Sequence, residues 1–131
     1  MNLLFLALFA LHSNCLFAQD PDNLPHAFDA GWQGKKTCEI VYETALVRVG
    51  RCSFPPGTGH EKHYHNPHFG YVIEGATMLV QGADGEAEVV TEAGSTWTTT
   101  ERTVHQAINT GTTTASYLIV EPRIAGPAAT P

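Results

Sequence analysis

From residue 38 onward the chain alternates short apolar runs with turn-forming residues. It almost nowhere shows the roughly 3.6-residue period of an amphipathic helix. Residues 38–43 and 46–54 read as strands, dense in β-branched side chains. Pro55-Pro56-Gly57 stops the second, since proline offers no ladder donor. Residues 60–65 and 69–74 read as strands on either side of an Asn66-Pro67 turn. Residues 77–81 and 86–91 flank Ala83-Asp84-Gly85, where Asp-Gly signals a hairpin. After a turn at Glu92-Ala93-Gly94, residues 95–98, 105–109 and 115–121 complete the series, the last two joined by Thr110-Gly111-Thr112. Many short strands at close spacing predict an all-β sandwich or barrel.

The two ends read differently. Residues 3–11 are apolar, His12-Ser13-Asn14 interrupt them, and residues 15–18 resume the run. Such a run is too short to cross a bilayer. It predicts a signal peptide over residues 1–18, cleaved after Ala18, and hence a periplasmic or secreted chain with no membrane segment in its mature form. A buried N-terminal helix is the alternative. Residues 19–37, with Pro21, Pro25, Gly31 and Gly34, predict an irregular arm in which Trp32 is a packing residue. Residues 122–131, rich in Pro, Ala and Gly, predict a flexible tail.

A length of 131 residues leaves room for one domain, and a 43% hydrophobic share suits a globular chain. The formal charge of −6 excludes the basic footprint of a nucleic-acid binder. Loss of the leader removes Cys15 and leaves Cys38 and Cys52. A turn at residues 43–45 would set these two roughly opposite each other on adjacent strands. A disulfide and a pair of buried thiols are both compatible with that placement.

The candidate chemistry lies in residues 57–75. Four of the seven histidines, His60, His63, His65 and His68, fall in this stretch, and His105 follows in a later strand. Neutral imidazole is a common metal ligand. Strand alternation points His63 and His65 the same way. The same alternation gives Glu61 their parity, as a reserve carboxylate, and turns His60 outward.

These residues resemble the motifs of the cupin family. The first cupin motif runs Gly, five residues, His-x-His, three or four residues, Glu, six residues, Gly; here it reads Gly57, His63-Tyr64-His65, His68, Gly75, with one residue fewer after His65. The second reads Gly94, Thr100, Arg102, His105, Asn109. His68 stands where the family has Glu, Thr100 where it has Pro, and Arg102 where it has Gly. The resemblance covers residues 38–121. It implies a single-domain, cupin-type jelly-roll β-barrel that binds one divalent transition metal per chain (Fe, Zn, Mn, Ni or Cu) through His63, His65, His68 and His105. It also implies pairing as a homodimer through edge strands, with the N-terminal arm crossing to the partner.

Replacing the family's Glu with His leaves the site without a carboxylate charge, which strengthens polarisation of a bound oxygen. Tyr64 or Tyr71, Phe69, Met78, Trp97 and Ile119 are candidate pocket residues. Tyr71 is the candidate catalytic residue, because a phenol near a metal can donate a proton. The reading that follows is a metal-dependent enzyme, an oxygenase, isomerase or lyase acting on a small organic molecule. The alternative is a non-catalytic cupin that binds a metal or small ligand. A structural protein with incidental histidines is the weakest reading, given five histidines at motif spacing.

Overall fold

The computed structural model describes residues 23–123. Among them lie eleven β-strands and no α-helix. β3 (Cys38–Glu43), β4 (Val47–Phe54), β6 (His68–Glu74), β9 (Thr96–Thr99) and β11 (Ala115–Pro122) form one antiparallel sheet, in the order β3-β4-β11-β6-β9. β5 (Gly59–His65), β7 (Thr77–Gly82), β8 (Gly85–Val90) and β10 (Thr103–Asn109) form the other, in the order β5-β10-β7-β8. Successive strands pass back and forth between the sheets at residues 55–58, 66–67, 75–76, 91–95, 100–102 and 110–114, which gives a single jelly-roll barrel.

Alternation decides which side chains fill the barrel. On β11, Ala115 and Ile119 are buried, with Tyr117 part-buried between them. On β6, His68, Gly70 and Val72 face in, while Phe69, Tyr71 and Ile73 are exposed. Gly70 has a steric reason to lack a side chain: a Cβ there would collide with the Trp97 indole. Phe54, Met78, Val72, Ile119 and the Cys38–Cys52 pair form the core between the sheets. Cys38 and Cys52 are direct cross-strand partners with Cα atoms 4.0 Å apart, and they are joined as a disulfide.

The leader and the tail fall outside the described residues, apart from Pro122 and Arg123, so their predicted character is not addressed by the fold. The arm is more ordered than expected within the part that is described. Gly31–Trp32 (β1) and Lys35–Lys36 (β2) pair as a small hairpin whose turn residues, Gln33 and Gly34, both have positive φ. Before it, residues 25–27 lie along the free edge of β5, with Ala27 N–H donating to the Tyr64 carbonyl at 2.8 Å and Tyr64 N–H donating to that of Pro25 at 3.1 Å. Phe28 fills the space above Gly50, where a Cβ would strike its ring. The arm therefore packs on its own barrel and covers one sheet edge.

His26 fastens this segment. Its Nδ1 accepts from the Phe28 N–H at 3.1 Å, and its Nε2–H donates to Glu121 at 2.8 Å. Arg48 completes the group, 3.3 Å from the second Glu121 oxygen, and Asn66 N–H donates to the first at 3.2 Å. These hydrogen bonds hold the Glu121 carboxyl below the ordinary carboxylate range, although its burial acts in the opposite direction and is the largest influence.

Candidate metal centre

The centre is built from two neighbouring strands of the four-stranded sheet. His63 on β5 pairs directly with His105 on β10, and His65 lies two residues further along β5. The ring centroids of His63 and His105 are 4.6 Å apart, those of His65 and His105 5.0 Å, and those of His63 and His65 4.7 Å. Each of the three offers a nitrogen within 4.8 Å of the other two.

The donor set fits a metal ion. His63 Nδ1–H donates to the Glu61 carbonyl at 2.6 Å, which fixes the tautomer and leaves Nε2 as a lone-pair donor. That Nε2 lies 2.9 Å from His65 Nε2. Two nitrogens bound about 2.1 Å from one ion at a right angle would be about 3 Å apart. His65 Nδ1 is buried with no hydrogen-bond partner. If Nε2 carries the His65 proton, this atom is a stranded acceptor. With the proton on Nδ1, the His65 Nε2 lone pair is open to a cation.

Burial keeps the cluster neutral. Desolvation, with the neighbouring imidazoles adding to it, pushes His63 down to about 2 and His65 lower still. His105 is lowered chiefly by desolvation and then by His68. All three are therefore lone-pair donors at neutral pH, the state that ligation requires.

His68, the fourth expected ligand, is brought into the barrel but not into this set. Its ring stacks 4.6 Å from that of His65. Both of its nitrogens are already engaged: Nδ1–H donates to the Asn66 carbonyl at 2.8 Å, and Nε2 accepts from the Trp97 indole N–H at 3.1 Å. The indole thus occupies the lone pair that a metal would need.

Strict alternation along β5 fails, and two expectations fail with it. Between His105 and Ala107 the pairing skips one residue of β5, so that His63 opposes His105 while His60 opposes Ala107. This β-bulge places Glu61 and Lys62 both outside. His60 is consequently buried, not outward-facing, and stacks on His63 at 3.8 Å between centroids. Its burial pushes its pKa down to about 4. Glu61 is no reserve ligand; its carboxylate points outward and accepts from the Gln33 N–H at 2.8 Å.

Tyr71 also departs from expectation. It lies on the outer face of β6, 40% exposed, because His68 and Val72 set the inward parity of that strand. Tyr64 and Phe69 likewise lie outside the cavity, whereas Met78, Trp97 and Ile119 line it. The phenol that does face the cavity is Tyr117, held by Thr91 Oγ1 at 3.3 Å; burial raises its pKa above the ordinary 10.0, at which it is already protonated at neutral pH. Parity with Ile119 was the available signal for it. The motif residue Asn109 serves the fold. Fully buried, it donates to the Phe54 and Thr113 carbonyls and accepts from the Gly111 N–H, closing the β10–β11 turn.

The cavity beside the histidines measures about 380 Å³, within the range of small-molecule sites. His60, His65, His68 and His105 form one part of its wall; most of the rest is apolar.

Two facing antiparallel sheets rolled into one barrel, with imidazoles converging inside, define the double-stranded β-helix class of proteins. The chain belongs to the cupin family, whose domain it matches over residues 50–121, more than half its length. Similar solved structures include a cupin domain from Bordetella pertussis Tohama I, 20% identical, with a TM-score of 0.62, covering 76% of this chain and 96% of that one. An RmlC-like cupin family protein with a double-stranded β-helix fold from Methanocaldococcus jannaschii is 18% identical, with a TM-score of 0.56 and coverage of 67% and 80%. The polyketide cyclase RemF from Streptomyces resistomycificus is 19% identical, with a TM-score of 0.56 and coverage of 80% and 72%. At these identities the likeness is one of fold. Comparison with curated proteins found no match.

Proposed function

We propose that this chain is a metal-dependent cupin enzyme that acts on a small organic molecule by an oxygenation, isomerisation or lyase reaction. One observation carries the reading: three neutral imidazoles converge, two of them, His65 and His105, at the wall of a small-molecule-sized cavity, and the fourth candidate, His68, is held away by Trp97. Four closed imidazole ligands would suit a structural ion; three with an adjoining space suit catalysis. A divalent cation held by His63, His65 and His105 would supply Lewis acidity to a ligand oxygen. The chain's own groups do the rest. The apolar walls hold the body of the ligand, the Glu61 carbonyl orients His63, and the Tyr117 phenol, whose proton goes to Thr91, turns its oxygen lone pair to the cavity wall. That a polyketide cyclase has a similar fold supports an enzymatic reading, although one fold hosts many functions.

The test is product analysis by mass spectrometry after metal-loaded protein has been incubated with a panel of small organic molecules. Gain of oxygen, an isomer of unchanged mass, or a cleaved product supports catalysis. A ligand that binds and is recovered unchanged throughout moves the non-catalytic binding reading ahead.

Export to the periplasm or beyond is part of this proposal. The apolar leader of the sequence supports it, as does the Cys38–Cys52 disulfide, which belongs to oxidising compartments. Mass spectrometry of the native protein checks it: a mature chain beginning at Gln19 agrees, and an intact leader on a cytosolic protein refutes it. Pairing of two copies is proposed as well, supported by the exposed Ile40, Val41 and Tyr42 on the edge strand β3. Light scattering that shows only monomer at micromolar concentration would refute it.

A further inference from the structure

Away from the histidines, the cavity has nothing with which to receive charge. Val72, Met78, Val80 and Ile119 supply much of the wall, with Trp97 and Tyr117 across it. Among the described residues no Lys, Arg, Asp or Glu side chain lines it. The carboxylate that β11 does bury, Glu121, is bound to His26 and Arg48 and lines a different cleft.

Most of the polar side chains on the wall away from the histidines are already committed. Thr91 Oγ1 is shared between the Ala76 backbone and the Tyr117 hydroxyl. Ser95 Oγ donates to the Glu92 carbonyl at 2.6 Å, and the Trp97 N–H is given to His68. A carboxylate, phosphate or ammonium placed against this wall would be desolvated without a partner. A sugar would leave hydroxyls unpaired over most of its surface. Apart from the Tyr117 oxygen, the lone pairs, or a bound cation, that could meet polar atoms lie where His65 and His105 reach the wall, with His63 buried beside them.

Size narrows the class further. An apolar cavity of about 150 Å³ accepts one benzene ring. The space here, about 380 Å³, is more than twice that.

We propose that the ligand of this site is a molecule with an uncharged, apolar body about two rings in size, whose oxygen atoms are confined to the edge facing His65 and His105. This deepens the reading of the histidine-walled cavity as a small-molecule site and rests on it. Sugars, phosphate esters and amino acids are excluded as ligands by the same wall.

The experiment compares 2-naphthol with 2-naphthol-6,8-disulfonate, titrated by naphthol fluorescence into the full chain, metal-free and zinc-loaded. The 2-naphthol is expected to bind at least about tenfold more tightly, since a sulfonate set against the apolar wall would be desolvated without a partner. Val89 lines the cavity from an exposed position on β8, so Val89→Arg adds a cation without disturbing the core. It should narrow the gap to less than about threefold. Met78→Trp, which fills the cavity, should weaken 2-naphthol binding; circular-dichroism melting checks that it folds, and Val89→Arg decides the matter if it does not. Equal or tighter binding of the disulfonate by the unmodified chain overturns the inference. Zinc uptake with no 2-naphthol binding overturns it too, and leaves the metal centre standing. Binding of 2-naphthol by a chain that takes up no zinc has the opposite meaning: the ligand class holds and the metal-dependent function falls.

Discussion

His63 and His105 stand directly opposite each other on β5 and β10, their rings 4.6 Å apart, and the strand pairing slips by one residue immediately beyond them. The slip lets one strand turn three histidines inward. Regular alternation would give His63 and His65 alone; the bulge adds His60 beneath His63. The cluster thus has two layers: a triad with lone pairs facing one another, and a packed imidazole behind it.

The two layers separate in their response to substitution. His60 is buried, and its Nε2 lies 3.9 Å from the Cys38 sulfur, but it is not among the three convergent ligands. His60→Ala should destabilise the chain by about 2 kcal/mol through lost packing while leaving metal stoichiometry unchanged. Urea denaturation and elemental analysis of the same preparation read both quantities. Loss of metal with retained folding would make His60 a ligand and redraw the centre.

The depressed histidine pKa values make the metal-free chain acid-sensitive. His60 falls from 6.5 to about 4 on folding, and His63, His65 and His105 also fall. The unfolded chain then binds more protons than the folded one below pH 6.5. Stability is fully present above 6.5 and declines as pH falls towards the folded values, by up to about 1.4 kcal/mol per pH unit for each histidine. Glu121, also lowered, adds a loss of the same sign at still lower pH, below its ordinary value of 4.5. The urea midpoint of chelator-treated protein should hold above pH 6.5 and drop steeply from there towards pH 4, and a flat profile would contradict the buried, neutral cluster.

Cys38 and Cys52 close a loop between two strands that also wall the barrel core. Opening a cross-link around a loop of this length removes about 3 kcal/mol, which lowers the melting temperature by roughly 10 °C. Calorimetry with and without a thiol reductant measures it. A melting curve unmoved by reductant, with thiol titration showing both cysteines oxidised at the outset and reduced afterwards, would contradict a stabilising bond.

The succession of strands from residue 38 onward was legible because proline, glycine and Asp-Gly punctuate it. Pro55-Pro56-Gly57 and Ala83-Asp84-Gly85 mark turns that fall between β4 and β5 and between β7 and β8. The pairing of His63, His65 and His105 was legible too, since two of them share a strand face and motif spacing supplies the third. The bulge was not, because nothing in Glu61-Lys62 announces an extra residue; it depends on what β10 places opposite. Tyr71 was misplaced because β6 begins at His68, one residue earlier than the sequence pattern implies, and only the histidine sets which face is inside. The seating of residues 25–27 on β5 has no local pattern at all. It is a tertiary contact anchored by a histidine and a glutamate ninety-five positions apart.

The central claim is that His63, His65 and His105 together hold one metal ion. Elemental analysis of purified wild-type protein beside His63→Ala/His65→Ala and His105→Ala tests it most directly, with circular dichroism to show that the variants fold. The account predicts about one divalent transition metal per wild-type chain and none in either folded variant. Stoichiometric metal retained by either variant would contradict it.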